Sequence, residues 1–158
     1  MKKPYVIIHT HTSIDGKINF IDVPEFETAT RQYQEIAMDP EKQRLNIQGY
    51  LNGRKTTDDN ITFGRESELN PDAPLVPEGD FIADVDASMY YVSIDPSGRL
   101  GWETNSFYYG NVTSYVIEVL TKKASNAYKD FLRRMNISYI IAGEVRFGCV
   151  IRLKNSGN

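Results

Sequence analysis

The chain has 158 residues, 41% hydrophobic and 25% charged, which is enough apolar material for one folded domain with a real core. A net charge of -3 gives no general attraction to nucleic acid, and the basic pairs Lys122-Lys123 and Arg133-Arg134 are too short for a polyanion track. No apolar run approaches the roughly 18 residues that cross a bilayer, and the single Cys149 cannot close an intrachain disulfide, so a cytoplasmic protein that binds neither nucleic acid nor membrane is expected.

In chain order, residues 5–12 (YVIIHTHT) read as a strand, because the unbroken apolar centre Tyr5-Val6-Ile7-Ile8 suits a strand covered on both faces and therefore central in a sheet. Residues 13–24 form a loop. Residues 25–38 form a helix, with Phe26, Ala29, Tyr33, Ile36 and Ala37 on one stripe and Pro24 and Asp39-Pro40 bracketing it. Residues 46–51 (NIQGYL) make a second strand that ends in Asn52-Gly53-Arg54-Lys55-Thr56-Thr57-Asp58-Asp59, a glycine followed by residues suited to a helix start. Residues 66–86 carry Pro71, Pro74 and Pro77 together with Asp72, Glu78, Asp80, Asp84 and Asp86, which predicts a surface excursion with little regular structure.

A third strand over residues 88–94 closes in the turn Asp95-Pro96-Ser97-Gly98-Arg99, and a fourth covers residues 114–120. A helix over 125–135, capped by Ser125, and a fifth strand over 137–142 follow, with one more strand-like stretch at 147–153. Strands and helices alternate, which predicts an α/β fold with a largely parallel sheet and crossover helices.

His9 and His11 are two apart, so on a strand they share a face and can chelate a metal. The chain has no third histidine, and a further ligand would have to be a carboxylate such as Asp15; polar side chains lining a cleft at a strand end account for the pair without metal. In open parallel sheets ligands sit beyond the carboxyl ends of the strands. Residues 10–17, 52–57 and 95–99 follow the first three strands, so three polar segments are expected to converge there. Gly53 permits close approach to the backbone, and Arg54, Lys55, Thr56 and Thr57 supply charge and hydroxyls suited to a diphosphate. Neither a P-loop nor the Gly-x-Gly-x-x-Gly fingerprint is present.

These residues resemble a known family. VIIHTHTSIDGKI (6–18) resembles the first-strand signature of the dihydrofolate reductase-like superfamily, most closely the pyrimidine reductase branch of riboflavin biosynthesis. Asn52-Gly53-Arg54-Lys55-Thr56 resembles its Gly-Arg-x-Thr helix start, while YYVSIDPSGRLGW (90–102) and NAYKDFLRRMNISYIIAGE (126–144) resemble its later segments. The resemblance implies a three-layer α/β/α fold in a single domain over 1–158, a homodimer, and NADPH as cofactor. It implies hydride transfer to a pyrimidine- or pteridine-related substrate such as 5-amino-6-(5-phosphoribosylamino)uracil. Carried over by position, Asp15 and Lys17 are the catalytic pair, with Lys17 polarising or protonating the acceptor and Asp15 orienting it. Thr12, Gly53, Arg54, Lys55, Thr56, Asp58, Ser97 and Arg99 contact cofactor, Ser13 and Arg65 contact substrate, and no residue holds a metal. The zinc deaminase motifs of bifunctional relatives are absent. After about residue 144 the family's further helix, glycine-rich loop and strands have no counterpart, so a shortened chain is expected, and a non-catalytic nucleotide-binding remnant of the same fold is the alternative.

Overall fold

A computed structural model describes residues 5–18, 24–109 and 111–144. They fall into two compact units, one made of the described residues up to Ile47 with residues 111 and 112, the other of residues 48–109 and 113–144. The second unit carries the sheet, apart from the first residue of its fourth strand: β1 (Gly49–Gly53), β2 (Tyr90–Ile94), β3 (Ser106–Tyr109), β4 (Val112–Leu120) and β5 (Ser138–Ile141). Their order is β1-β2-β4-β3, with β5 also pairing β4. The β1/β2, β2/β4 and β4/β5 pairs are all parallel, so the α/β class with a mostly parallel sheet holds.

Alternation along the strands decides where the core sits. In β4, Val112, Ser114, Val116, Glu118 and Leu120 are buried while the residues between them are not, and in β2 Tyr91 and Ser93 share that buried face. It packs on helix α3 (Asn126–Arg134), whose Tyr128, Phe131 and Leu132 join Leu100, Trp102, Ile137 and Tyr139 in one apolar cluster. Ser125 caps α3, its hydroxyl accepting the Tyr128 N–H at 3.1 Å. The helix stops at Asn136, which takes a left-handed φ of 53° and lets Ile137 N–H return to the Leu132 carbonyl at 2.8 Å.

The excursion after β1 is irregular, as its prolines require, and its polar backbone is nevertheless partnered. Asn126 accepts from Val76 N–H at 3.0 Å and donates to the carbonyls of Ala73 and Pro74. Phe81 bridges Tyr139 in antiparallel fashion, Ala83 N–H donates to the Ser138 hydroxyl, and Asp80 accepts from Ile141 N–H at 2.8 Å. Arg133 lies 4.5 Å over the Phe81 ring and donates to the Tyr139 hydroxyl. Residues 80–83 thereby supply partners along β5, which would otherwise present unpaired backbone.

Three expectations need correction. Residues 5–12 form no strand: Tyr5, Val6 and Ile8 are 89%, 77% and 92% exposed. Instead the segment is anchored on helix α1 (Pro24–Met38) of its own unit. His9 stacks on Tyr33 at 4.1 Å, His11 packs edge-on against Phe26 and Tyr33, and the Tyr33 hydroxyl donates to the His9 carbonyl. Aromatic side-chain contacts have replaced the ladder of backbone bonds that an apolar run alone cannot provide. Second, β3 was not expected. Third, the helix that follows β1 is a single four-residue turn, α2 (Arg54–Thr57), running into a π-type turn, Asp58–Thr62. The strand-like stretch 147–153 lies outside the described residues.

Candidate functional site

Parallel pairing fixes which loops share an end of the sheet. Gly53 is the register partner of Ile94, Ile94 of Val119, and Leu120 of Ile141, so the segments that begin at Arg54, Asp95, Thr121 and Ala142 all leave the same carboxyl-terminal end. Arg54, Lys55, Thr56, Ser97 and Arg99 therefore lie on two adjacent loops of one unit. Lys122 and Lys123 follow β4 at that end, with Lys122 paired to Glu144 at 2.8 Å.

On the first loop, Gly53 is exposed and a Cβ placed there would meet nothing within 4 Å, so its backbone is open to a ligand. The Arg54 guanidinium is 3.9 Å from Asp58, and the Lys55 amine is 2.9 Å from Asp59 on a side chain 84% exposed. Thr56 is exposed, whereas Thr57 is buried and bonded to the Tyr91 and Ser93 hydroxyls at 2.8 Å each. Thr57 therefore ties the loop to β2. Asp58 is a structural acceptor: one oxygen takes the Thr62 hydroxyl at 2.8 Å and Gly64 N–H at 3.1 Å. Arg65 pairs with Glu103 at 2.8 Å.

On the second loop, buried Asp95 folds the turn around its own carboxylate, which accepts from the N–H groups of Arg99 and Leu100. Thr121 donates twice to the Pro96 carbonyl, from its N–H at 3.0 Å and its hydroxyl at 2.6 Å. Gly98 has φ +67°, and a Cβ there would collide with the Tyr128 ring. Ser97 is half-buried and Arg99 exposed on this turn.

Behind the turn is a polar cluster that pattern reading overlooked. Glu118 is wholly buried, and one carboxyl oxygen accepts from the Trp102 indole N–H and from the Tyr128 hydroxyl, the latter at 2.8 Å. Burial pushes its pKa up from 4.5 to about 8, with the negative charge of Asp95 adding to the rise. Burial and the nearby acids likewise drive the Tyr128 phenol upward. The signal was available in SYVIEVL, where Glu118 falls on the same alternating face as Val116 and Leu120.

The expected catalytic residues lie in the other unit, where Ser13, Asp15 and Lys17 close one exposed turn. The Ser13 N–H donates to the Lys17 carbonyl at 2.9 Å, the Lys17 N–H donates to the Ser13 hydroxyl oxygen at 3.0 Å, that hydroxyl bonds Asp15, and Lys17 Nζ is 2.9 Å from the second Asp15 oxygen. The Ser13 hydroxyl and Lys17 hold the Asp15 carboxyl below its ordinary pKa. Thr12 is exposed just before this turn.

No protein-family model, curated protein or solved structure matches the chain significantly. The donor set at the sheet end is two cations, a free hydroxyl and an open glycine backbone on one loop, with a serine and an arginine on the next. That set suits a phosphorylated nucleotide cofactor: charge-assisted donors for phosphate oxygens and a planar guanidinium for a second anionic or aromatic group. Among the described residues no group of three or more His, Cys, Asp or Glu is placed to hold a metal ion, and no helix is long and apolar enough to cross a membrane.

Proposed function

We propose that this chain is an NADPH-dependent reductase of the riboflavin-biosynthesis and dihydrofolate reductase-like type, acting on a pyrimidine- or pteridine-related substrate such as 5-amino-6-(5-phosphoribosylamino)uracil. The observation that supports it is the parallel β1/β2 register, which sets Arg54 and Asp95 at the start of neighbouring loops. Arg54, Lys55 and Thr56 bind cofactor phosphates, and Ser97 and Arg99 hold the adenosine end. Arg65 contacts substrate by exchanging its Glu103 partner for an anionic group. NADPH, when bound, supplies the hydride. Lys17 supplies the proton, and Asp15, held as a carboxylate by Ser13 and Lys17, orients it.

A second reading keeps the nucleotide site without turnover. It is favoured by the Asp15 and Lys17 turn, in which each charge is already satisfied by the other. Titration of the full chain with NADPH, followed by fluorescence, tests the shared site. Micromolar binding that weakens about tenfold in Lys55→Ala and in Thr56→Ala, the loss of one charge-assisted contact, is expected. Absence of binding up to millimolar NADPH overturns both readings. Binding with no oxidation of NADPH in the presence of 5-amino-6-(5-phosphoribosylamino)uracil leaves the second.

A further inference from the structure

The buried acids Glu118 and Asp95 have a shared peculiarity. Both are wholly buried, Glu118 on β4 and Asp95 just past the end of the adjacent parallel strand β2, two residues beyond Ser93, the register partner of Glu118. Each carboxyl is used on one side only. Glu118 Oε1 takes both Trp102 and Tyr128, and Asp95 Oδ2 takes both Arg99 and Leu100, while Glu118 Oε2 and Asp95 Oδ1 have no hydrogen-bond partner. Neither acid is in an ion pair among the described residues.

The two half-satisfied carboxyls grip the same stretch of chain. Tyr128 donates to Glu118 and lies 2.9 Å from the Leu100 carbonyl, and Leu100 N–H donates to Asp95. Residues 95–102 are thus held at Arg99 and Leu100 by one acid and at Leu100 and Trp102 by the other. The groups that face Glu118 from the packed elements are Asp95 at the end of β2, Trp102, Tyr128 on α3, and the β5 register partner Tyr139, whose hydroxyl accepts from Arg133. No cation is among the groups that shift its titration.

We propose that Glu118 is a proton-operated latch on residues 95–102: neutral, it fastens the segment through Trp102 and Tyr128, and charged, it opposes Asp95 and releases the turn that presents Ser97 and Arg99. Gain of the second negative charge in an enclosed, cation-free cluster is costly, and the turn, which is held at one edge by this cluster, is the part able to move away. Glu118 acts through its neighbours and is a positioning residue. The latch belongs to the segment itself and stands whether or not a nucleotide binds there.

Trp102, the only tryptophan of the chain, donates to Glu118 and makes the event visible. The test is a titration of the full chain from pH 6 to 9, following Trp102 fluorescence and the exchange protection of the Arg99 and Leu100 amides, corrected for intrinsic exchange. A single-proton fluorescence transition near the Glu118 pKa of about 8 is expected, with far-ultraviolet dichroism unchanged. Protection at the two amides should fall by about tenfold per pH unit as pH rises toward that value and level off above it. Glu118→Gln keeps an acceptor for Trp102 and Tyr128 and should abolish both changes. Asp95→Asn keeps the acceptor for the turn and should move the transition to lower pH, which preserves the test if Glu118→Gln does not fold. A wild-type chain with no transition, or protection loss that persists in Glu118→Gln or is unmoved in Asp95→Asn, overturns the proposal.

Discussion

Two turns in this molecule share a local grammar: an aspartate whose side chain accepts from its own turn, a glycine with positive φ, and a basic residue after it. In the first, Asp15-Gly16-Lys17, glycine takes φ +79° with nothing within 4 Å of an added Cβ. In the second, Asp95 to Arg99, the aspartate is fully buried and the space beside Gly98 is filled by Tyr128. The first turn is closed by its own side chains and the second by the core beneath it. An acid, a glycine and a basic residue thus give an autonomous, exposed turn in one place and a turn supported by the sheet in the other.

Substitution should separate the two. Gly98→Ala meets both the left-handed penalty and the Tyr128 ring, and should cost about 3 kcal/mol in chemical denaturation. Asp95→Ala strands two backbone N–H groups beside the core and should cost about 2 kcal/mol, measured in the same way. Gly16→Ala faces only the backbone penalty, about 1 kcal/mol. Asp15→Asn should leave the unfolding midpoint unchanged, since its ion pair is solvent-exposed. A Gly16→Ala loss as large as that of Gly98→Ala would erase the distinction.

The acid behind the second turn adds a pH dependence opposite in sign to that of Asp15, whose pKa is lowered. Because the Glu118 pKa is raised from 4.5 to about 8 in the folded chain, the folded state binds the proton more tightly than the unfolded one. Its contribution is complete below 4.5 and is lost as pH rises toward about 8. Glu118→Gln should match wild type in acid and be more stable than wild type at neutral pH, a crossover readable from denaturation midpoints across that window.

How much of this was legible depended on whether neighbours were needed to decide it. The stripe of α1, the Ser125 cap of α3 and the apolar runs of β1, β2, β4 and β5 are local signals, and each element lies within a few residues of its expected place. Residues 5–8 were over-read because an apolar run does not by itself say what will pair with it. The strand β3, Ser106-Phe107-Tyr108-Tyr109, was missed because Tyr108 and Tyr109 stay exposed and give no alternation of apolar and polar residues. At the candidate site, Gly53 to Thr56 and Ser97 to Arg99 could be singled out from residue type and placed at one sheet end by parallel pairing. The roles of Thr57 and Asp58 as internal ties could not, since they depend on partners such as Tyr91, Ser93 and Gly64.

The covering of β5 by residues 80–83 has a kinetic consequence. Asp80 and the Ile141 amide that it accepts are 61 residues apart in the chain. This closure must wait until α3 has formed and β5 has been laid beside β4, so contacts of long sequence separation complete the unit last. During synthesis and refolding, the interval before that closure is when an unprotected strand is available to other chains. Variants that weaken the Asp80 or Phe81 contacts should therefore show slower recovery and lower refolding yield at high protein concentration before they show any change in the native state.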